Sequence, residues 1–151
     1  MNRTQLASLL LSAAALVGLV THEGYSDQTI IPIKGDVPTI GFGSTDGVKL
    51  GDKTNPIAAL QRAMRDIAGK ETAVKKCVKV PLYQYEYDAY ISLAYNIGTG
   101  AFCSSTLVKK LNIGDYTGAC SEILRWDRVQ GRAVKGLTVR RQKEYNQCLG
   151  K

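Results

Sequence analysis

The sequence predicts a mainly helical α+β domain in which a small β-hairpin lobe precedes a helical C-terminal lobe. Three observations predict it. Between Gly24 and Lys53 the chain carries Pro32, Gly35, Pro38, Gly41, Gly43, Gly47 and Gly51 around β-prone runs such as Thr39 to Phe42, which is the composition of tight turns and hairpins. From Asn55 onward, apolar residues recur at three- and four-residue spacing in one segment after another. The length, 151 residues, allows one domain with a real core and is too short for two ordinary ones.

The elements follow in order. No charged residue stands between Arg3 and Glu23, and the apolar run Leu6 to Val20 is diluted by Ser8, Ser12, four alanines and Gly18. It is short and weak for a membrane span. With positive charge at its start it is expected to orient the following chain outward. A cleaved signal peptide, a retained anchor and a core helix are the three readings. An uncleaved, marginally hydrophobic anchor over residues 1–22 is favoured, because cleavage near Ala13 to Ala15 would leave a greasy stub. Such an anchor could leave the bilayer and pack on the domain of residues 23–151.

After the hairpin lobe, Thr54-Asn55-Pro56 reads as a cap with proline in the first turn, and Ile57, Leu60, Met64 and Ile67 as a helical stripe running to about Lys75. Pro81 breaks the pattern. Tyr87, Tyr90, Ala94 and Ile97 then share a helical face that Gly98 ends, and this helix is expected at the centre of the core. Ser104 or Ser105 can cap a short helix through Leu111, and Asp115 another carrying Ala119, Ile123 and Trp126. A glycine-containing loop leads to a last helix over about Thr138 to Leu149, with Val139, Gln142, Tyr145 and Leu149 on one side.

The net charge is +7, and ten Lys and Arg against four Asp and Glu between Ala101 and Lys151 carry six of it. That excess suits an anionic partner such as nucleic acid, a membrane surface or acidic cell-wall polymer, and equally a solvated basic face. Cys77, Cys103, Cys120 and Cys148 are dispersed, with no CxxC pair, and one histidine cannot complete a zinc cluster, so no metal is expected. Four cysteines fit two disulfides in an oxidising compartment and four buried free thiols in the cytosol. Three pairings are open; Cys103 with Cys120, leaving Cys77 with Cys148, is preferred because the first pair brackets a short helical hairpin.

Read together, HEG and its turn-rich loop, PTIGFGST, YDAYISLAYNIGTGAF, STLVKKLN, GDYTGACSEILRW and GLTVRRQKE resemble the phage-type lysozymes of glycoside hydrolase family 24. The resemblance runs from about Val20 almost to the C-terminus, and the weak apolar leader resembles the signal-arrest-release branch. It implies a lysozyme-like fold and a cofactor-free hydrolase of the β-1,4 bond between N-acetylmuramic acid and N-acetylglucosamine. The enzyme would be monomeric, held at the host inner membrane facing the periplasm and then released to act on peptidoglycan glycan strands. Residue by residue, Glu23 is the proton donor and Thr39 helps hold the attacking water. The family's aspartate, nine residues after the glutamate and six before the threonine, has no counterpart, since Pro32 and Ile33 stand there. Asp36 and Asp27 remain. Asp36, three residues before Thr39, is taken as the second carboxylate, and Asp27 as a residue bonding local backbone amides.

Such chemistry needs a proton for the leaving oxygen and a second carboxylate to activate water, about 6.5–9.5 Å away if the configuration inverts. Glu23, at the end of an apolar helix, is placed for partial burial that would favour its protonated form. Were Asp36 out of reach, Glu23 alone could act as in a lytic transglycosylase, the sugar's own hydroxyl attacking to give an anhydro product. Tyr95 and Asn96 align with sugar-groove positions; a core aromatic and a helix-end amide are their plainer reading. His22 points about 100° away from Glu23 on a helix and is read as a surface residue, and Trp126 as core. A rival of another class is a non-catalytic cationic wall or membrane binder. Nucleic-acid binding is not expected, for want of any such motif. If the leader must leave the membrane to complete the fold, deleting Met1 to Val20 should damage folding or activity.

Overall fold

The computed structural model describes residues 2–32 and 34–151. Ile33 lies outside the described residues. The chain divides into two compact units, Leu16–Gly69 and Met1–Ala15 with Lys70–Lys151. Helices α1 (Ala13–Glu23) and α2 (Pro56–Cys77) carry the chain between them.

In the Leu16–Gly69 unit, Gly24 adopts φ +70° and donates its N–H to Val20 O at 3.1 Å, which ends α1 and turns the chain into β1 (Ser26–Ile30). That strand pairs antiparallel with β2 (Thr39–Gly41), Ser26 opposite Gly41 and Ile30 opposite Thr39, with an irregularity between the two pairs because β1 spends more residues than its partner. Its other edge is also occupied: Thr54 N donates to Asp27 O at 2.8 Å and Thr29 N to Asp52 O at 3.1 Å. Beyond β2 the chain folds back on itself, Ile40 and Ser44 exchanging both backbone bonds around Gly41-Phe42-Gly43. Ser44, buried, then donates to Asp66 Oδ2 of α2 at 2.6 Å.

Asn55 Oδ1 accepts from Ala58 N at 2.9 Å and Pro56 opens α2, as the sequence leads one to expect. The buried face of α2 is not the expected one. Ile67 is inside, but Ile57 and Met64 are exposed, and the buried positions are Ala59, Ala63, Ile67, Glu71 and Val74. The small side chains are selected by close approach: a Cβ placed on Gly41, which has φ +63°, would stand 2.8 Å from that of Ala59.

The other unit is built around α3 (Gln84–Ile97), in which Tyr87, Ala89, Tyr90, Ile91, Leu93 and Ala94 are wholly buried. Tyr83 N donates to Glu86 Oε2 at 2.8 Å at its start, and Gly98, at φ +87°, ends it. Short helices α4 (Thr99–Ser104), α5 (Thr106–Asn112) and α6 (Tyr116–Glu122) follow. Ser105 and Asp115 cap the last two, accepting from Val108 N at 3.3 Å and Gly118 N at 2.9 Å. The expected loop contains a hairpin, β3 (Arg128–Val129) with β4 (Arg132–Ala133), turned by Gln130 and Gly131 at φ 49° and 78°. Helix α7 (Lys135–Cys148) closes the chain and begins three residues before the periodicity suggests. Its buried residues are Arg140, Arg141, Glu144 and Cys148, while Val139 is exposed. The expected apolar side is therefore corrected: opposite charges four and three apart neutralise one another inside, Arg140 and Arg141 both meeting Glu144, at 3.2 and 2.9 Å.

The disulfides also correct the preferred pairing. Cys77 bonds Cys103 and Cys120 bonds Cys148, each pair with Cα atoms 5.7 Å apart. Cys77 is carried to the end of α2, beside α4, and α7 brings Cys148 back to α6, so neither link is the one a hairpin between Cys103 and Cys120 would make.

Residues 2–12 are a strap, and helix occupies only the second half of the apolar run. Thr4 and Leu82 exchange backbone hydrogen bonds at 2.7 and 2.9 Å, and Arg3 pairs with Glu86 at 2.8 Å. A short 3₁₀ turn, Leu6–Ser8, follows, with Leu6 and Leu9 buried. Then Leu11 N donates to Glu71 Oε1 at 2.7 Å, and Ser12 donates to Asp88 through both its N–H, at 3.0 Å, and its hydroxyl, at 2.7 Å. These long-range acceptors take the N–H groups that a continuous helix would have used internally. Tyr87 OH also donates to Glu71, at 2.8 Å; burial, reinforced by that carboxylate, holds its hydroxyl well above the ordinary tyrosine range, so it stays a donor. Among the described residues no helix is long and apolar enough to cross a membrane.

Candidate active site

Glu23 is the last residue of α1, a helix that buries Leu19 almost completely, and Gly24 immediately redirects the backbone. The carboxyl is half-buried and rests on bare backbone. A Cβ at Gly43 would stand 2.8 Å from Glu23 Oε2 and 3.3 Å from both Cδ and Cγ. The GFG turn of the expected motif thus has a specific use: its second glycine, at φ +79°, provides a wall against which the carboxyl lies. Next to that wall, Phe42 packs its ring on Tyr25, centroids 5.3 Å apart, and Tyr25 is exposed. A half-buried carboxyl beside an open aromatic pair suits a site that protonates a sugar oxygen.

Thr39 opens β2 and is half-buried; its Oγ1 donates to Val37 O at 3.2 Å. With the hydroxyl proton so engaged, its lone pairs are left to accept from water. Asp36 lies exposed on the loop before β2, and its carboxylate has no hydrogen-bond partner among the described residues. Asp27 is exposed too, and it is its backbone carbonyl, through Thr54 N, that serves the strand pairing. The Leu16–Gly69 unit thus holds Glu23, Asp36 and Thr39, with Glu23 against the turn that follows β2.

Tyr95 and Asn96 belong to the other unit, at the C-terminal end of α3. Tyr95 is buried, with Lys70 Nζ 5.2 Å from its ring centroid. Asn96 is exposed and accepts from Arg141 Nη2 at 3.1 Å. Arg141 is wholly buried and bonded to Glu144, which also accepts from Ser92 Oγ at 2.7 Å. The exposed amide is therefore oriented by an ionic network inside the unit. Trp126, expected in the core, is half-buried and lines a groove of about 450 Å³ with Ala101, Ser105, Leu107 and Arg125.

Sequence reasoning passed over Gly43 as a hairpin glycine and gave Arg141 and Glu144 no role. Their spacing was a usable signal, because Arg and Glu three or four apart pair on a helix whether exposed or buried. No group of three or more His, Cys, Asp or Glu able to hold a metal gathers among the described residues.

The phage lysozyme family model matches residues 20–144. The chain is similar to a SAR-endolysin of Pseudomonas phage phiKMV, 40% identical over 141 residues covering 91% of this chain and 87% of the relative. Among solved structures it is similar to an endolysin from Escherichia coli O157:H7 phage FAHEc1, at 34% identity, a TM-score of 0.80 and 94% coverage of each chain. It is also similar to a mutant P22 lysozyme, at 31% identity and a TM-score of 0.78, covering 93% of this chain and 99% of that one. With a half-buried glutamate seated on the GFG turn and this likeness along nearly its whole length, the chain belongs to the phage lysozyme family and is a peptidoglycan-degrading glycosidase of the endolysin type.

Proposed function

We propose that the chain hydrolyses the β-1,4 bond between N-acetylmuramic acid and N-acetylglucosamine, with Glu23 as general acid. The observation that carries this is the Glu23 carboxyl resting on the Gly43 backbone at the end of α1. Glu23 gives its proton to the departing glycosidic oxygen as the ring carbon gains positive charge. Asp36 takes a proton from a water held by Thr39 Oγ1, and that water attacks from the opposite face. Tyr95 and Asn96 are assigned to sugar binding, Asn96 being aimed by Arg141.

Asp36 favours a second reading, because nothing among the described residues bonds its carboxylate in place. In that reading Glu23 acts alone and the sugar's own hydroxyl closes on the ring carbon. Mass spectrometry of digested peptidoglycan separates the two: reducing ends mark hydrolysis, and anhydro ends a transglycosylase. For hydrolysis, Asp36→Asn is expected to lower turnover about 10²- to 10³-fold with the melting temperature unchanged. An Asp36→Asn enzyme releasing the same products at the parent rate would remove Asp36 from the mechanism.

Gly43→Ala tests the wall. An alanine at φ +79° costs about 1–2 kcal/mol, and its methyl would push the carboxyl aside; misplacement by about 1 Å costs roughly 10²-fold in rate. Turnover that is unchanged while the melting temperature falls would show that Gly43 serves the turn only.

The enzyme's place follows the reading of its leader. Residues 1–22 form a signal anchor that holds the chain at the host inner membrane facing the periplasm, and residues 23–151 the catalytic domain, which acts on glycan strands as a monomer after release. The uncharged stretch between Arg3 and Glu23, the SAR-endolysin relative and two disulfides suited to an oxidising compartment support this.

A further inference from the structure

The Leu16–Gly69 unit carries a feature that glycan cleavage does not use. A cavity of about 380 Å³ is lined by Asp52, Lys53, Thr54, Ala58, Arg62 and Arg65, among others. Three of these side chains are cationic, and the one carboxylate, Asp52, already accepts from Lys49 N at 2.9 Å. Arg62 Nη1 is buried and has no hydrogen-bond partner among the described residues. A buried guanidinium donor left unmade is costly, and an acceptor with negative charge would answer it.

Beside the cavity runs an apolar stripe. Ile57, Leu60 and Met64 of α2 are 73%, 37% and 52% exposed, and Leu50, three residues before Lys53, is 70% exposed. At about 100° per residue, Ile57, Leu60 and Met64 share one side of the helix and Ala58, Arg62 and Arg65 the next. Gln61 and Ala68 lie between them. Apolar side chains bordered by arginines on one helix are the pattern of an interfacial contact with anionic lipid.

We propose that this face docks on an anionic membrane surface, the cavity receiving a phospholipid phosphate while Leu50, Ile57, Leu60 and Met64 enter the headgroup boundary. A second copy of the chain would bring like charges together. An acidic peptide would satisfy the arginines and leave the apolar stripe in water. Only an anionic lipid surface answers both, and the long Arg stems can lie along the apolar boundary with their heads on phosphate.

The test is partitioning of the full chain onto vesicles of phosphatidylglycerol and phosphatidylethanolamine, read by co-sedimentation. Each basic side chain near such a surface contributes about fivefold, so Arg62→Gln with Arg65→Gln is expected to weaken partitioning about 25-fold, and Ile57→Ser with Met64→Ser about tenfold. All chains are assayed in the released, folded form, in which Arg3, Leu11 and Ser12 hold the leader on its own unit, and digestion of isolated peptidoglycan is expected to stay within about twofold of the parent. If the Arg62 variant melts below the assay temperature, Lys53→Glu with Arg65→Glu, at two exposed positions, gives the same reading. Parent-like partitioning of the basic and the apolar variants overturns the proposal. So does an equal loss on phosphatidylcholine vesicles. Competition by millimolar glycerol phosphate, with no effect of the apolar substitutions, would make the cavity a site for a soluble phosphate ester and would overturn the membrane assignment.

Discussion

Glu23→Gln is expected to abolish release of muropeptides, lowering turnover by at least about 10³-fold, while the protein folds and binds cell wall as before. The amide matches the carboxyl in shape, so the contact with Gly43 survives. What it cannot do is give up a proton at the moment the glycosidic bond lengthens, and general acid catalysis supplies about 10²- to 10⁴-fold. A cationic wall binder would behave otherwise: its lysis would follow net charge and ignore this substitution. Muropeptide release by liquid chromatography, beside a melting curve of both proteins, decides the matter. Parent-like release would remove Glu23 from the reaction.

Deleting Met1–Val20 is expected to leave the chain unfolded or molten at 25 °C, with no activity. The reason lies within one unit. Glu71, Glu86 and Asp88 are 8%, 3% and 5% exposed, and the leader supplies partners to all three, through Leu11, Arg3 and Ser12. Arg3 is 28% exposed, so losing its part-buried pair with Glu86 costs less than the about 3–5 kcal/mol of a fully buried pair, and stranding a hydrogen-bonding group costs about 1–3 kcal/mol. These costs are not additive, because Glu71 keeps Tyr87 and Glu86 keeps the Tyr83 N–H. Even one full loss with the buried Leu6 and Leu9 gone approaches the usual total of about 5–15 kcal/mol. Circular dichroism and heat-induced melting of the truncated chain measure it. A truncated chain that melts cooperatively and digests wall at the parent rate would show the strap to be dispensable.

Much of the fold could be read from local chemistry. Asn55, Ser105 and Asp115 cap helices, Gly98 stops one, and the Pro- and Gly-rich stretch makes the hairpin lobe, because each acts over three or four residues. What was not legible depends on partners far along the chain. Periodicity alone assigns Ile57 and Met64 inward; the approach of Gly41 to Ala59 reverses that choice. Arginines are read as solvent-facing, and Arg141 is inside because Glu144 lies one turn away. The apolar leader looks like uninterrupted helix until Glu71 and Asp88 claim the N–H groups of Leu11 and Ser12. The site shows the same division. Glu23 and Thr39 stand in recognisable motifs, whereas the seat that Gly43 makes for the carboxyl exists only in three dimensions.

The strap also sets an order of events. Its bonds join residues 83, 76 and 60 positions apart, so the strap cannot be completed until both α2 and α3 have been made. Contacts of such reach close slowly, after local pieces have formed. The opening residues of the polypeptide are thus among the last to settle, and for that interval they are at liberty to be somewhere else.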